Sequence, residues 1–182
     1  KKIILAGHSL GSNKIINYLG NTADNFVEYF IVSAPVDLTY WFTVMPGVKQ
    51  CIETAQDFAA QGRGKEILPF LFGGFSPMCA ESVLNFYNAF NLKNCPVISN
   101  EGETDSLYNI KIPGAFIIGE KDSLTDNNPK GFIEKINSYC RNPKNNKLIL
   151  VQGASHIFYG KHKEFASEVL NCVQSRNILY CS

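Results

Sequence analysis

Three side chains in this sequence have the types and the spacing to act together on a carbonyl carbon. The first is Ser9, set in Gly7-His8-Ser9-Leu10-Gly11 directly behind the apolar run Ile3-Ile4-Leu5-Ala6. A serine at its free pKa is a poor nucleophile, so its hydroxyl must project without obstruction toward a base. A tight strand-to-helix turn achieves this by holding the serine in strained backbone geometry at the strand's carboxyl end. Gly7 and Gly11 are expected to remove side chains that would collide where the turn brings backbone together.

The base must come from three histidines. His8 lies in the turn itself, where it flanks the site but cannot easily reach over Ser9. His162 falls in Lys161-His162-Lys163-Glu164, the solvated start of a helix. His156 remains. It follows the β-run Leu148-Ile149-Leu150-Val151 and a loop containing Gly153. That places it at the carboxyl edge of a strand, where catalytic groups gather in open α/β sheets.

An acid is needed to orient the imidazole and stabilise its charged form. The apolar run Pro113 to Gly119 is a buried-strand pattern, and Glu120-Lys121-Asp122 stands at its end. Asp122 is the reading preferred here, with Asp126 and Glu120 as alternatives. The chain order Ser…Asp…His is the one expected behind a serine turn of this kind. The chemistry these residues allow is two-step acyl transfer, with the Leu10 N–H as one donor to the oxyanion.

Positioning these groups requires a sheet. Strands are expected at about residues 2–6, 27–33, 113–119 and 147–151, and helices at 10–20, 129–140 and 161–174, from the apolar spacing of each segment. Such alternation makes a mostly parallel sheet flanked by helices. Residues 1–36 and 113–182 are read as this core. Residues 37–112 form an insertion too long to be a plain loop. Helical spacing over Cys51 to Gln61 and Ala80 to Phe90 gives the insertion its own structure, and Trp41, Phe72 and Phe86 are among its many large apolar residues.

Gly7-His8-Ser9-Leu10-Gly11, Ile117-Ile118-Gly119-Glu120-Lys121-Asp122 and Gly153-Ala154-Ser155-His156 together resemble the α/β-hydrolase superfamily over nearly the whole chain. Ser33-Ala34-Pro35-Val36-Asp37, followed by the insertion, looks like a serine esterase family of largely uncharacterised hydrolases. Some of those relatives act on ester-linked siderophores. The resemblance implies a partial α/β-hydrolase fold with a helical cap at 37–112. It also implies hydrolysis of a small-molecule carboxylic ester, without cofactor or metal. His8, Trp41 and Phe86 are the candidate substrate contacts. These strands would be the later ones of a longer sheet, and the missing N-terminal half of the same protein would be the chain's partner. That half would supply the second oxyanion donor and cover the Ile3–Ala6 strand, otherwise an unprotected edge. The same residues leave open a thioesterase, lipase, C–C hydrolase or peptidase, and a noncatalytic relative that only binds.

Composition narrows the rest. A length of 182 residues supports one substantial core. A formal net charge of +1 gives no electrostatic reason to expect nucleic acid. No apolar run approaches the roughly 18 residues that span a bilayer. The six cysteines show no C-x-x-C spacing and read as scattered thiols, with disulfides left open by their even number. The sequence holds no N-x-[ST] sequon, which fits an intracellular protein. Gly62-Arg63-Gly64-Lys65 resembles a phosphate loop only in part: Ala59 stands where glycine is needed and Glu66 replaces Ser or Thr. It is read as a turn.

Overall fold

Four parallel strands hydrogen-bonded in the order β1-β2-β3-β4 carry the first of two units: β1 (Ile3–His8), β2 (Val27–Ser33), β3 (Gly114–Gly119) and β4 (Lys147–Val151). The computed structural model of the chain describes residues 3–23, 26–74, 76–91 and 105–175. Contacts divide it into Lys1–Asp37 with Pro96–Ser182, and Leu38–Cys95.

Three crossovers connect the strands, all stepping the same way across the sheet. Right-handed crossovers stepping one way must place their helices on one face. That face carries α1 (Leu10–Asn21), α5 (Asp105–Asn109) and α6 (Pro129–Ser138), packed through Ile16, Leu107, Phe132, Ile133 and Ile136 against Phe30, Val32, Phe116 and Ile118. The final helix, α7 (His162–Gln174), covers the opposite face, where Cys172 meets Tyr29, Ile31, Ala115 and Ile117. Alternate residues of β2 and β3 thus serve opposite faces, as the pleat requires. Both faces are covered, which is why these strands read as unbroken apolar runs. Each of the fully buried Phe30 and Phe116 side chains contributes about 1.5–3 kcal/mol by leaving water.

Leu107 and Ile110 lie within the span read from sequence as the insertion, yet they are buried in this core. The stretch Asn142 to Asn146 leads into β4. It holds a single 3-10 turn, and Asn146 joins three segments: its Oδ1 accepts from the Gly114 N–H at 2.9 Å, and its Nδ2 donates to Asn137 Oδ1 at 2.8 Å. This amide fixes the entry of β3 to the end of α6.

The second unit contains α2 (Leu38–Val44), α3 (Val48–Ala60) and α4 (Ala80–Asn91). Trp41, Phe72 and Phe86 form its aromatic cluster, with ring centroids 5.7–5.9 Å apart. The Gly62-Arg63-Gly64-Lys65 motif ends α3. Gly62 adopts φ 73, its N–H donates to Ala59 O, and the Arg63 N–H donates to Phe58 O. This is a Schellman stop, completed by the Arg63 guanidinium 4.0 Å above the Phe58 ring. The carbonyls of Gly64 and Glu66 then accept from the Glu81 and Ala80 N–H groups at the start of α4. The loop therefore serves two helix ends. Among the described residues, no helix is long and apolar enough to cross a membrane.

Candidate active site

Ser9 occupies the N-cap position of α1, where a serine normally accepts a hydrogen bond from the helix's first turn. Here its side chain makes no capping bond. The backbone instead takes φ 56 and ψ −129, and Oγ stands 2.9 Å from His156 Nε2. Helix capping is surrendered so that the hydroxyl can face the imidazole. A left-handed φ at a non-glycine residue costs on the order of 1–3 kcal/mol and persists only where its surroundings enforce it.

Those surroundings are visible. A Cβ on Gly7 would lie 2.7 Å from the Gly11 carbonyl carbon and oxygen, so the turn closes only with glycine at position 7. Beneath it, the Ser33 hydroxyl donates to Gly7 O at 2.9 Å, while the Ser12 hydroxyl lies within bonding distance of both Gly7 O and Ser33 O. Asn13 pairs with Val36 in both directions, Nδ2 donating to its carbonyl and Oδ1 accepting from its N–H. These contacts tie α1 to the segment leaving β2. Gly11 departs from expectation: among the described residues nothing lies within 4 Å of a Cβ placed there. Only the first glycine of the motif is required by a collision.

His156 Nδ1 lies 2.9 Å from Asp122 Oδ2. A carboxylate can only accept, so Nδ1 carries the proton and Nε2 is left to accept from the Ser9 hydroxyl. Asp122 is 1 % exposed, and its other oxygen accepts from the Leu124 N–H at 2.9 Å. Both alternative acids are placed elsewhere. Asp126 is exposed on a left-handed turn (φ 52). Glu120 Oε2 accepts from the Gly153 N–H at 2.8 Å, holding the histidine loop by its backbone.

That loop must cross the end of β3 to bring His156 back toward β1. The Lys121 N–H donates to Ala154 O at 2.8 Å and the Glu120 N–H to Val151 O at 3.0 Å. Gly153 and Phe158 both take positive φ, 69 and 54. For phenylalanine this is strained, and its ring is held by stacking on Phe165 with centroids 4.3 Å apart.

His8, expected beside the site, directs Nε2 to the backbone carbonyl of His156 at 2.8 Å. Leu10 opens α1, so its N–H points out of the positive end of the helix. Trp41 and Phe86 sit in the core cluster of the second unit. Ser12, Ser33 and Asn13 carry no sequence signal for these duties. Only Glu120 had a signal, its place beside the acid.

Among the described residues, no group of three or more His, Cys, Asp or Glu is arranged to hold a metal ion. Cys51, Cys79, Cys140 and Cys172 are thiols outside any disulfide, while Cys95 and Cys181 lie outside the described residues. Burial pushes the Cys140 thiol up to about 12 and raises that of Cys51. The Ser82 hydroxyl beside Cys79 lowers the pKa of that thiol.

A four-stranded parallel sheet flanked by helices matches part of an α/β-hydrolase fold, and similar solved structures are α/β hydrolases. The alpha/beta hydrolase GrgF from Penicillium sp. sh18 is 16% identical with a TM-score of 0.57, covering 95% of this chain and 63% of that one. Est1E from Butyrivibrio proteoclasticus is 16% identical with a TM-score of 0.53, covering 98% and 62%. The monoacylglycerol lipase of Paleococcus ferrophilus is 17% identical with a TM-score of 0.51, covering 86% and 60%. The chain spans less than two thirds of the length of each. Residues 1–176 match the family described as "Protein of unknown function (DUF1749)", and the chain belongs to that family. No curated protein matches it in sequence.

Proposed function

We propose that this chain carries the nucleophile, base and acid of a serine hydrolase that cleaves a carboxylic ester. The observation that carries the reading is the continuous hydrogen-bonded line from Ser9 Oγ through His156 to Asp122, with 2.9 Å at each step. A buried carboxylate, an imidazole in the required tautomer and a hydroxyl in strained geometry have no joint structural need for one another. The monoacylglycerol lipase among the neighbours supports an ester as the bond attacked.

In the first step Ser9 Oγ attacks the ester carbonyl carbon and its proton passes to His156 Nε2. Asp122 holds the imidazolium in place and stabilises its charge. The developing oxyanion takes a hydrogen bond from the Leu10 N–H, reinforced by the dipole of α1. The alcohol then leaves with the proton from Nε2, and an acyl group remains on Ser9. Water, giving its proton to the same nitrogen, releases the acid and restores the serine.

One donor is fewer than such oxyanion sites ordinarily use. The second, on this reading, belongs to a part of the protein outside these four strands. The same part pairs with the outer edge of β1, an apolar strand on which Ile3 is 44% exposed. Hydrolysis of a p-nitrophenyl ester by the full-length protein, lost in Ser9→Ala, tests the reading. Equal rates from the isolated 182-residue chain would contradict the assignment of the second donor to an outside segment.

A further inference from the structure

Asp122 fixes the imidazole of His156 through its ring, but a ring is only as well placed as the backbone that bears it. The backbone of His156 has its own anchor. His8 Nε2 lies 2.8 Å from the His156 carbonyl oxygen, a contact between residues 148 positions apart. We propose that His8 is a positioning residue that ties the base's loop directly to the strand bearing the nucleophile. The inference rests on the serine-hydrolase reading for its catalytic consequence, and on geometry for the tether itself.

The direction of the bond follows from its partners. A carbonyl oxygen only accepts, so Nε2 must carry the hydrogen. The anchor point is rigid. His8 is the last residue of β1, in register with Ser33 of β2, and is followed at once by Ser9. The loop it holds has no helix or strand of its own over residues 152–160. It crosses β3, turns through positive φ at Gly153, Phe158 and Gly160, and closes on itself through the Phe158 N–H donated to Ser155 O.

The ring, although exposed, also meets two others. Its centroid is 5.1 Å from that of His156 and 6.0 Å from that of Phe158, which approaches edge-on. His8 thus touches the base's backbone and ring as well as the strained residue two positions beyond. A misplacement of about 1 Å between reacting groups costs on the order of 100-fold in rate. A tether from the residue next to the nucleophile sets that distance with a single bond.

The test compares His8→Phe, which fills the ring's place without a donor, and His8→Gln, which returns an amide N–H, in the full-length protein. Amide exchange is read at Ala154, Phe158 and Lys161, whose N–H groups close the loop, with β3 as the internal standard. The expected result is exchange faster by about tenfold or more at those three amides in His8→Phe, and close to wild type in His8→Gln. Labelling of Ser9 by a fluorophosphonate is expected to slow by at least about tenfold in His8→Phe and to recover in His8→Gln. Unchanged exchange in His8→Phe, or a glutamine variant as perturbed as the phenylalanine one, would overturn the tether. Labelling of the wild type reports separately on the serine-hydrolase reading, so the two ideas fail by different measurements.

Discussion

Gly119 and Ala154 approach so closely that no side chain fits between them: a Cβ on Gly119 would lie 2.4 Å from the Ala154 carbonyl oxygen and 2.7 Å from that of Ser155. The strand that leads to Asp122 and the loop that bears His156 meet at this contact. The loop can cross β3 only because position 119 is bare, and the crossing carries His156 to Ser9.

Gly119→Ala is therefore expected to push the histidine loop off the sheet edge. Overpacking of this kind costs about 1–3 kcal/mol, measurable by denaturant titration. Reactivity of Ser9 should fall by about 100-fold as the base is displaced. Gly11→Ala is the contrast, since a Cβ there meets nothing within 4 Å among the described residues. Stability in that variant should remain within about 0.5 kcal/mol of wild type.

The three carboxylates near β3 separate by substitution. Asp122→Asn should lower ester hydrolysis by about 1,000- to 10,000-fold while the protein stays folded, because the amide favours the wrong tautomer of His156. Asp126→Asn, on an exposed turn, should leave the rate within about twofold. Equal losses in the two variants would remove Asp122 from its role.

Glu120 is expected to matter through the loop. Its carboxylate accepts from the Gly153 N–H at 2.8 Å in an exposed setting. Glu120→Ala should cost about 0.5–1.5 kcal/mol in a thermal or chemical melt, and Glu120→Gln, which keeps an acceptor oxygen, should cost less. A melt unchanged in Glu120→Ala would show that this contact does not hold the loop.

Thiol chemistry checks the packing independently. Thiolate is the reactive form. Cys79 is partly exposed with its pKa lowered by Ser82, whereas Cys140 is buried with its pKa raised to about 12. At neutral pH, iodoacetamide followed by peptide mass mapping should modify Cys79 first among the four described thiols. Cys140 should react only on unfolding. Early modification of Cys140 would contradict the packing of α6 against the sheet.

How far the sequence predicts this molecule depends on the range of each signal. The four strands and the helices behind them were legible because burial on both faces leaves unbroken apolar runs and a 3.6-residue period. That Ser9, Asp122 and His156 come together was legible because each follows such a run in a fixed chain order. The contacts beneath the turn were not. Asn13 pairing with Val36, Ser12 and Ser33 converging on Gly7 O, and Asn146 bridging Gly114 and Asn137 are single side chains bonded to distant backbone or amides. Such bonds leave no periodicity. The motif also suggested a collision at Gly11 that the described residues do not produce, because its α-carbon faces open space while that of Gly7 faces backbone. Leu107 entered the core unannounced, since α5 spans only Asp105–Asn109 and is too short to show a helical period.

The central claim is that Ser9 is a nucleophile activated by His156. The most direct measurement is reaction of the full-length protein with a fluorophosphonate, followed by mass mapping of the adduct. The account predicts a single phosphonylated residue, Ser9, with labelling abolished in Ser9→Ala and slowed by at least about 1,000-fold when His156 is replaced by alanine. A folded protein that remains unlabelled, or is labelled at Ser9 at the same rate without His156, would contradict it.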